Sequence, residues 1–434
     1  MREVHFVGIG GIGLSALARY LNAKGVKVSG SDIKNTPLTD ALKKEGIEVN
    51  IPHAKENIKN PDFVVHTAVA KPDNVELQEA KRKNIKILSR REFLPYIVNE
   101  KKVISVCGAH GKSTTTAILA SILNDANALI GAESKEFYSN AKCSDSEVLV
   151  FEADESDGSF VDSNPYIAVV TNTEPEHMEF YNHDLDLFYS HYQEFLEKAK
   201  IRVVNGDDDF IKTLDMPMKK VFIKDAKNIR YEIRDSLPKT VFEYKNKEFE
   251  VYGFGKHLVI DAVLAIEAAS EFLDLDTIAN NIKNFIGIKK RFDIVKNSKD
   301  FVIIDDYGHH PTEIKATLHS AKNYAMLNGL DNVVAIWQPH KYSRTIDNLE
   351  GFVECFNEAN ELVILPVWSA GEEEVFIDFK KHFAKHNPIF ANRIEVKDNK
   401  VYLLDDNQNI IKTYDKGLVI GFGAGDITYQ LRGY

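Results

Sequence analysis

The chain has 434 residues, 44% hydrophobic and 27% charged, with 54 Lys and Arg against 65 Asp and Glu for a formal net charge of −11. These proportions are those of a globular protein, and at roughly 100–200 residues per domain they allow two to four domains. They exclude long disorder and leave no broad basic field for a nucleic acid; three scattered cysteines, Cys107, Cys143 and Cys355, exclude a disulfide framework.

The opening Met-Arg-Glu-Val-His-Phe-Val-Gly reads as a first strand rather than a signal peptide. No apolar run reaches the roughly 18–20 residues that a bilayer span needs, so a cytoplasmic protein with no membrane partner is expected. Residues 1–98 alternate strand and helix signals. Strands are predicted over Val4–Val7, Val26–Ser29, Phe63–His66 and Ile85–Leu88, and helices over Ile12–Ala23, Thr39–Lys44, Val75–Arg82 and Glu92–Val98. That order predicts βαβ units on a parallel sheet. Between the first strand and helix lies Gly8-Ile-Gly10-Gly11-Ile-Gly13. Glycines there allow a tight turn and let a diphosphate approach the free N–H groups of a helix N-terminus. Asp32 ends the second strand about 20 residues on, where a carboxylate can accept from a sugar hydroxyl. NAD(P) and a UDP-sugar present the same diphosphate.

The pattern restarts at Lys101. A strand over Val103–Cys107 runs into Gly108-Ala109-His110-Gly111-Lys112-Ser113-Thr114, then a helix over Ser113–Leu123. Val106 occupies the place of the first glycine of a full Walker loop, which leaves a shortened G-x-x-G-K-S. Its mechanics are intact: backbone N–H groups cradle phosphates, Lys112 reaches their oxygens, and the Ser113 or Thr114 hydroxyl can hold Mg²⁺. The strand Val148–Ala153 delivers Glu152, followed by Asp154, Glu155 and Asp157, hard oxygens of the kind Mg²⁺ takes. The strand Ile167–Thr171 leads into Thr171-Asn-Thr-Glu-Pro-Glu-His177, and His177 can reach a second metal. A helix over Leu185–Lys198, a strand ending at Val203–Asn205, a β-rich antiparallel stretch over 219–252, and helices over Asp261–Phe272 and Thr277–Phe285 follow.

A third restart follows Arg291. Strands are predicted over Phe301–Asp305, Val333–Trp337, Leu362–Pro366 and Leu418–Phe422, and helices over Pro311–Leu327 and Glu350–Ala359; polar Phe292–Asp300 fits a linker. The expected domains are 1–98, 99–295 and 296–434.

Four segments, GIGGIG, GAHGKSTTT, EADESDGS and NTEPEHM, together resemble the Mur ligases, and the third unit agrees through DDYGHHPTE from Asp305, QPHKYSRT from Gln338 and GAGD from Gly423. The blocks fall in family order along nearly the whole chain and are most similar to the alanine-adding branch. The resemblance implies three α/β domains: an N-terminal Rossmann-like domain, a central P-loop ATPase-like parallel sheet with a small antiparallel section, and a C-terminal Rossmann-like domain. It implies ATP-dependent ligation of L-alanine to the carboxylate of UDP-N-acetylmuramic acid through an acyl phosphate, in peptidoglycan precursor synthesis, by a monomer or homodimer with Mg²⁺ as cofactor. Carried over by position, Gly8, Gly10, Gly11, Gly13, Asp32, Thr67 and Ala68 would hold the UDP-sugar. Gly108, Ala109, His110, Gly111, Lys112, Ser113 and Thr114, with Asp261, Arg291, Asp305 and Asp306, would hold ATP. Ser113 and Glu152 would ligate one Mg²⁺ and His177 a second. Tyr342 and Arg344 would contact the amino-acid carboxylate, and Lys112, Glu152, His177 and Arg344 would be the catalytic set.

One segment departs from the family pattern. Where an adenine-contacting Gly-x-His-Asn-x-x-Asn is usual, this chain has Gly255-Lys-His257-Leu258-Val-Ile-Asp261, so Leu258 offers no amide and Asp261 only an acceptor. Alternatives are the recycling ligase that joins a whole peptide to the same UDP-sugar, a nicotinamide-dependent oxidoreductase, and a non-catalytic nucleotide-binding protein.

Overall fold

The computed structural model describes residues 1–99, 102–156, 158–235 and 237–433. The chain forms two compact units, Met1–Asp225 with Ile260–Phe285 and Ala226–Val259 with Ile286–Tyr434.

The first unit opens with β1 (Glu3–Val7), α1 (Ile12–Ala23), β2 (Lys27–Ser31), α2 (Pro37–Lys44), β3 (Glu48–Asn50), β4 (Phe63–His66), α3 (Val75–Arg82), β5 (Lys86–Ser89), α4 (Arg90–Phe93) and α5 (Pro95–Val98). Its five strands are parallel, in the order β3-β2-β1-β4-β5. Val4, Phe6, Val7, Val64 and Val65 are wholly buried, as expected of parallel strands covered on both faces. Thr36 and Asn74 cap α2 and α3 by accepting from first-turn amides.

The same unit continues with β6 (Lys102–Cys107), α6 (Lys112–Ile122), β7 (Asn127–Ser134), β8 (Ser139–Lys142), β9 (Val148–Glu152), β10 (Ile167–Val170), α7 (Leu185–Lys198), β11 (Ile201–Asn205), α8 (Asp209–Thr213) and β12 (Lys219–Val221). The order is β12-β11-β10-β6-β9-β7-β8, and the β7–β8 hairpin is the antiparallel pair. One core runs through both sheets, from Phe6, Leu17 and Phe93 to Val103, Phe151 and Tyr192. Buried Asn140 of β8 ties the two. Its amide donates to the Ile12 carbonyl at 2.7 Å and the Ser15 hydroxyl at 2.9 Å, and it accepts from Arg19 at 2.5 Å.

In the second unit β13 (Lys227–Arg234), β14 (Leu237–Tyr244) and β15 (Lys247–Tyr252) form an antiparallel sheet. The helix α9 (Lys256–Ala269) begins here and continues into the first unit's chain, which also holds α10 (Leu275–Asn281). Then come β16 (Asp293–Asn297), β17 (Phe301–Asp306), α11 (Pro311–Leu327), β18 (Val333–Trp337), α12 (Tyr342–Asp347), α13 (Leu349–Cys355), β19 (Glu361–Ile364), α14 (Phe379–His382), β20 (Ile389–Phe390), β21 (Arg393–Lys397), β22 (Lys400–Leu404), β23 (Ile410–Tyr414), β24 (Gly417–Phe422) and α15 (Ile427–Leu431). The main sheet has the order β16-β17-β24-β18-β19-β20, and β21-β22-β23 form a separate antiparallel sheet. Among the described residues no helix is long and apolar enough to cross a membrane.

Two local expectations are corrected. The polar stretch Phe292–Asp300 is not a linker: Asp293–Asn297 is an edge strand antiparallel to β17. Its mostly partial burial and its single lysine, Lys296, fit an edge position. The 219–252 stretch is only partly antiparallel, because β12 extends the parallel sheet beside β11.

Candidate active site

Each proposed ligand loop leaves the carboxyl end of a parallel strand, where open α/β sheets bind ligands. Gly8 follows β1 with φ +86°, and a Cβ there would stand 2.6 Å from the Thr67 methyl, which follows β4. Only glycine combines that φ with that approach. The Gly10 amide donates to Asp32 Oδ2 at 2.8 Å, so Asp32 shapes the loop as well as standing near it. Gly11 begins α1 with no side-chain cap and no acid in the first turn. The first N–H groups of α1 are therefore left for an anion. Ala68 is exposed beside Thr67.

The second loop is built the same way. Gly108 has φ +139°, and a Cβ would sit 2.1 Å from the Thr171 hydroxyl. Thr171 and Asn172 hold the loop from the next strand, both donating to the His110 carbonyl, at 2.5 and 2.8 Å. Gly111 starts α6 with φ 81°, again without a side-chain cap or an acid in the first turn. Asp261 of α9 lies against it: a Cβ on Gly111 would be 2.4 Å from Oδ1. Lys112 donates to the Gly108 carbonyl at 2.6 Å and the Ala109 carbonyl at 3.1 Å, and pairs with Glu155 at 2.8 Å. Burial pulls against its charge, but Glu155, Asp154 and Glu152 outweigh that and hold the amine protonated. Burial pushes Glu155 up to about 7, with Lys112 pulling the other way.

The register pairs Val106 of β6 with Glu152 of β9, which brings Glu152 to the start of the loop. Its Oε1 accepts from the Ser113 hydroxyl at 2.9 Å and its Oε2 from the Gly131 amide at 2.6 Å. Burial raises its carboxyl, opposed chiefly by Lys112 and the Gly131 amide. His177, held at φ 53°, falls in a group with Glu155 and Glu176, whose ligand atoms lie within 4.8 Å of one another. A serine hydroxyl beside a carboxylate is a hard-oxygen pair, and two carboxylates with an imidazole suit a divalent cation. Both sets fit Mg²⁺. The His110 imidazole pairs with Glu174 at 3.1 Å. Asp157 lies outside the described residues.

In the second unit Arg291 pairs with Glu313 at 2.8 Å and lies over the Tyr307 ring. Asp305 and Asp306 are both turned inward. Asp305 accepts from Thr428 at 2.6 Å and Arg432 at 2.8 Å, and Asp306 accepts from the Phe292 and Gly308 amides at 2.7 and 2.8 Å. Leu258 packs on Gly253. Tyr342 and Arg344 sit on α12, which follows Lys341 at φ 70°. Arg344 Nη1 stands 3.1 Å from His340 Nδ1, and burial with Arg344 lowers that imidazole to about 4.

Composition and spacing did not single out Glu155 as the partner of Lys112 or Gly131 as the anchor of Glu152. Glu155 stood in the acid run, a usable signal. Gly131 lies in the unpredicted hairpin and gave none.

Family models match the chain in three consecutive blocks: "Mur ligase family, catalytic domain" over residues 3–102, "Mur ligase middle domain" over 106–269 and "Mur ligase, glutamate ligase domain" over 290–417. The UDP-N-acetylmuramate–L-alanine ligase of Campylobacter curvus is 52% identical over 435 residues, covering 100% of each chain. Its Helicobacter pylori counterpart is 51% identical, over 99% of this chain and 96% of its own. Among solved structures, the UDP-N-acetylmuramate-alanine ligase of Thermotoga maritima superposes with a TM-score of 0.82 at 26% identity, covering 100% of this chain and 98% of that one.

Proposed function

The chain belongs to the Mur ligase family, and on that premise we infer that it joins L-alanine to the carboxylate of UDP-N-acetylmuramic acid with ATP. The observation that carries the reading is the 52% identity that spans both chains end to end. The phosphate loop agrees with it: an uncapped helix start, a protonated Lys112, and the Ser113–Glu152 pair. The domain division at 98 and 295, Mg²⁺, a cytoplasmic location and a monomeric or dimeric state are proposals made with it.

In this reading a carboxylate oxygen of the muramic acid attacks the γ-phosphorus of ATP, giving an acyl phosphate and ADP. The alanine amine then attacks the acyl carbon, an amide forms, and phosphate leaves. Two anions must meet in the first step, so the need is for positive charge placed in advance. Lys112 supplies it, since its neighbours keep it charged even when buried. Swinging from the Gly108 and Ala109 carbonyls to phosphate oxygens exchanges acceptors without uncovering the amine. Mg²⁺ held by Ser113 and Glu152, with a second at His177, would neutralise phosphate charge. The uncapped start of α1 receives the UDP diphosphate, and Arg344, whose planar fork suits a carboxylate, takes that of alanine.

Phosphate release is the test. With ATP and UDP-N-acetylmuramic acid, turnover should depend on L-alanine and exceed that with glycine or L-serine. Turnover with a tripeptide acceptor but not alanine would mean the recycling activity instead.

A further inference from the structure

We infer that Glu76 is a positioning residue for the nucleotide-sugar site: through the Ser31 hydroxyl its carboxylate fixes the end of β2, which in turn holds the Gly8–Gly13 loop in shape. This rests on the UDP-sugar reading of that loop. Two consecutive residues hold three consecutive loop amides. The Ser31 carbonyl accepts from the Gly8 amide at 2.8 Å and the Ile9 amide at 3.0 Å. Asp32 Oδ2 accepts from the Gly10 amide at 2.8 Å. Both lone pairs of the Ser31 carbonyl are thereby taken up by the loop, so a shift of this strand end is a shift of the loop.

The Ser31 side chain anchors that strand end. Its hydroxyl is wholly buried and donates to Glu76 Oε2, and His53 Nδ1 stands 2.8 Å from it. Glu76, in the first turn of α3, is itself wholly buried, so it acts on the loop through Ser31. Its two oxygens serve different neighbours. Oε2 lies 3.4 Å from His5 Nε2 on β1 and 3.4 Å from His53 Nδ1. Oε1 accepts from the Ala54 amide at 3.2 Å and Asn57 Nδ2 at 2.6 Å, in the turn after β3. The Oε1 side closes that turn against α3, which is a local role. The Oε2 side ties β1 to the end of β2 and so reaches the loop. A buried charge is weak evidence for stability, whereas a well-bonded buried network fixes geometry. A loop already held in its binding shape need not be ordered when the ligand arrives, which favours affinity.

The experiment compares the full chain with Glu76→Gln, Ser31→Ala, the double variant and Asn57→Ala, with thermal melts to follow stability. It measures equilibrium binding of UDP, and kcat and KM for UDP-N-acetylmuramic acid and ATP. Glu76→Gln and Ser31→Ala should each weaken UDP and raise the UDP-sugar KM about 3- to 30-fold, the range for residues that act on a site without touching the ligand. Their kcat and ATP KM should stay within about twofold, because only binding is lost. The double variant should be no worse than the worse single one, since both break the same link. Asn57→Ala should lower the melting temperature and leave UDP affinity unchanged. If Glu76→Gln does not fold, Ser31→Ala alone carries the test. A lower melting temperature with an unchanged UDP-sugar KM in Ser31→Ala would overturn the inference, because a merely structural role reduces the folded fraction and hence kcat. An equal rise of KM in Asn57→Ala would overturn the route through Ser31. Those results leave the loop's ligand as read; wild-type protein that binds neither UDP nor the UDP-sugar would overturn that reading and the inference with it.

Discussion

Lys112 donates to two carbonyls and pairs with a buried carboxylate, so removing it has two effects that must be separated. A charge-assisted hydrogen bond to phosphate is worth about 1.5–3 kcal/mol, and Lys112→Ala should lower turnover at least about 10- to 100-fold while UDP-sugar still binds. The same change strands Glu155, which is only 1% exposed, and breaking a buried pair costs about 3–5 kcal/mol. The double variant Lys112→Ala with Glu155→Gln should recover stability but not turnover; recovered turnover would remove the phosphate role. For Glu152→Gln, the amide oxygen can still accept from Gly131 or Ser113, so the fold should hold and the Mg²⁺ concentration for half-maximal activity should rise sharply. An unchanged Mg²⁺ titration would exclude Glu152 as a ligand. At this scale the loops were legible in the sequence because glycine spacing and a Gly-Lys-Ser run have few other uses. The facing of individual acids was not: Glu152 and Glu155 are three residues apart, yet one meets Ser113 and the other Lys112 and His177. Spacing alone does not say which way each side chain turns as the chain leaves the strand.

Elements with one clean period were read to the residue: α1, α3, α7, α11, β4 and β18 have the predicted bounds. Those that failed lack such a period. Asn127–Ser134 is broken by Gly131 and ends in polar residues, and Ser139–Lys142 is short and carries no large apolar residue; they are strands because they pair with each other and Asn127–Ser134 pairs with β9. That hairpin is also where the two sheets of the first unit are joined. Asn140 is wholly buried, and Asn140→Ala would remove three hydrogen bonds, while Arg19 keeps Glu45 and the Ser15 hydroxyl keeps the Ile12 carbonyl. Hydrogen bonds of this kind are worth about 0.5–1.5 kcal/mol each, so denaturant unfolding should show a loss of about 1–3 kcal/mol. A loss below about 0.5 kcal/mol would mean that water replaces the amide. Because Ile12 and Ser15 lie in the first two turns of α1, UDP affinity should fall together with stability.

Across the molecule, two buried carboxylates push the pH dependence of stability in opposite directions. Glu76 in the first unit is wholly buried among His5, His53, Ser31, Asn57 and the Ala54 amide. Burial pushes its carboxyl up, but His5, Ser31 and Asn57 outweigh that and bring it to about 2. Its contribution is complete above the unfolded value of about 4.3 and is lost as pH falls toward 2, roughly 3 kcal/mol in all. Asp306 in the second unit is the reverse. Burial dominates, and despite Arg291 and two backbone amides it rises to about 7. The folded state keeps that proton while the unfolded chain loses it near 3.9, so stability is full below about pH 4 and declines by up to about 4 kcal/mol as pH rises through 7. These two groups by themselves favour a pH of about 4–5, and Glu155, which burial also raises to about 7, adds a neutral-side decline in the first unit. The units can be followed apart because both tryptophans, Trp337 and Trp368, lie in the second. Tryptophan fluorescence should report the neutral-side decline and far-ultraviolet dichroism the acid-side loss as well. Asp306→Asn should flatten the fluorescence-detected slope between about pH 4 and 7, whatever its effect on stability at one pH, and Glu76→Gln should flatten only the acid limb. A neutral-side slope that survives Asp306→Asn would mean that another buried acid sets it.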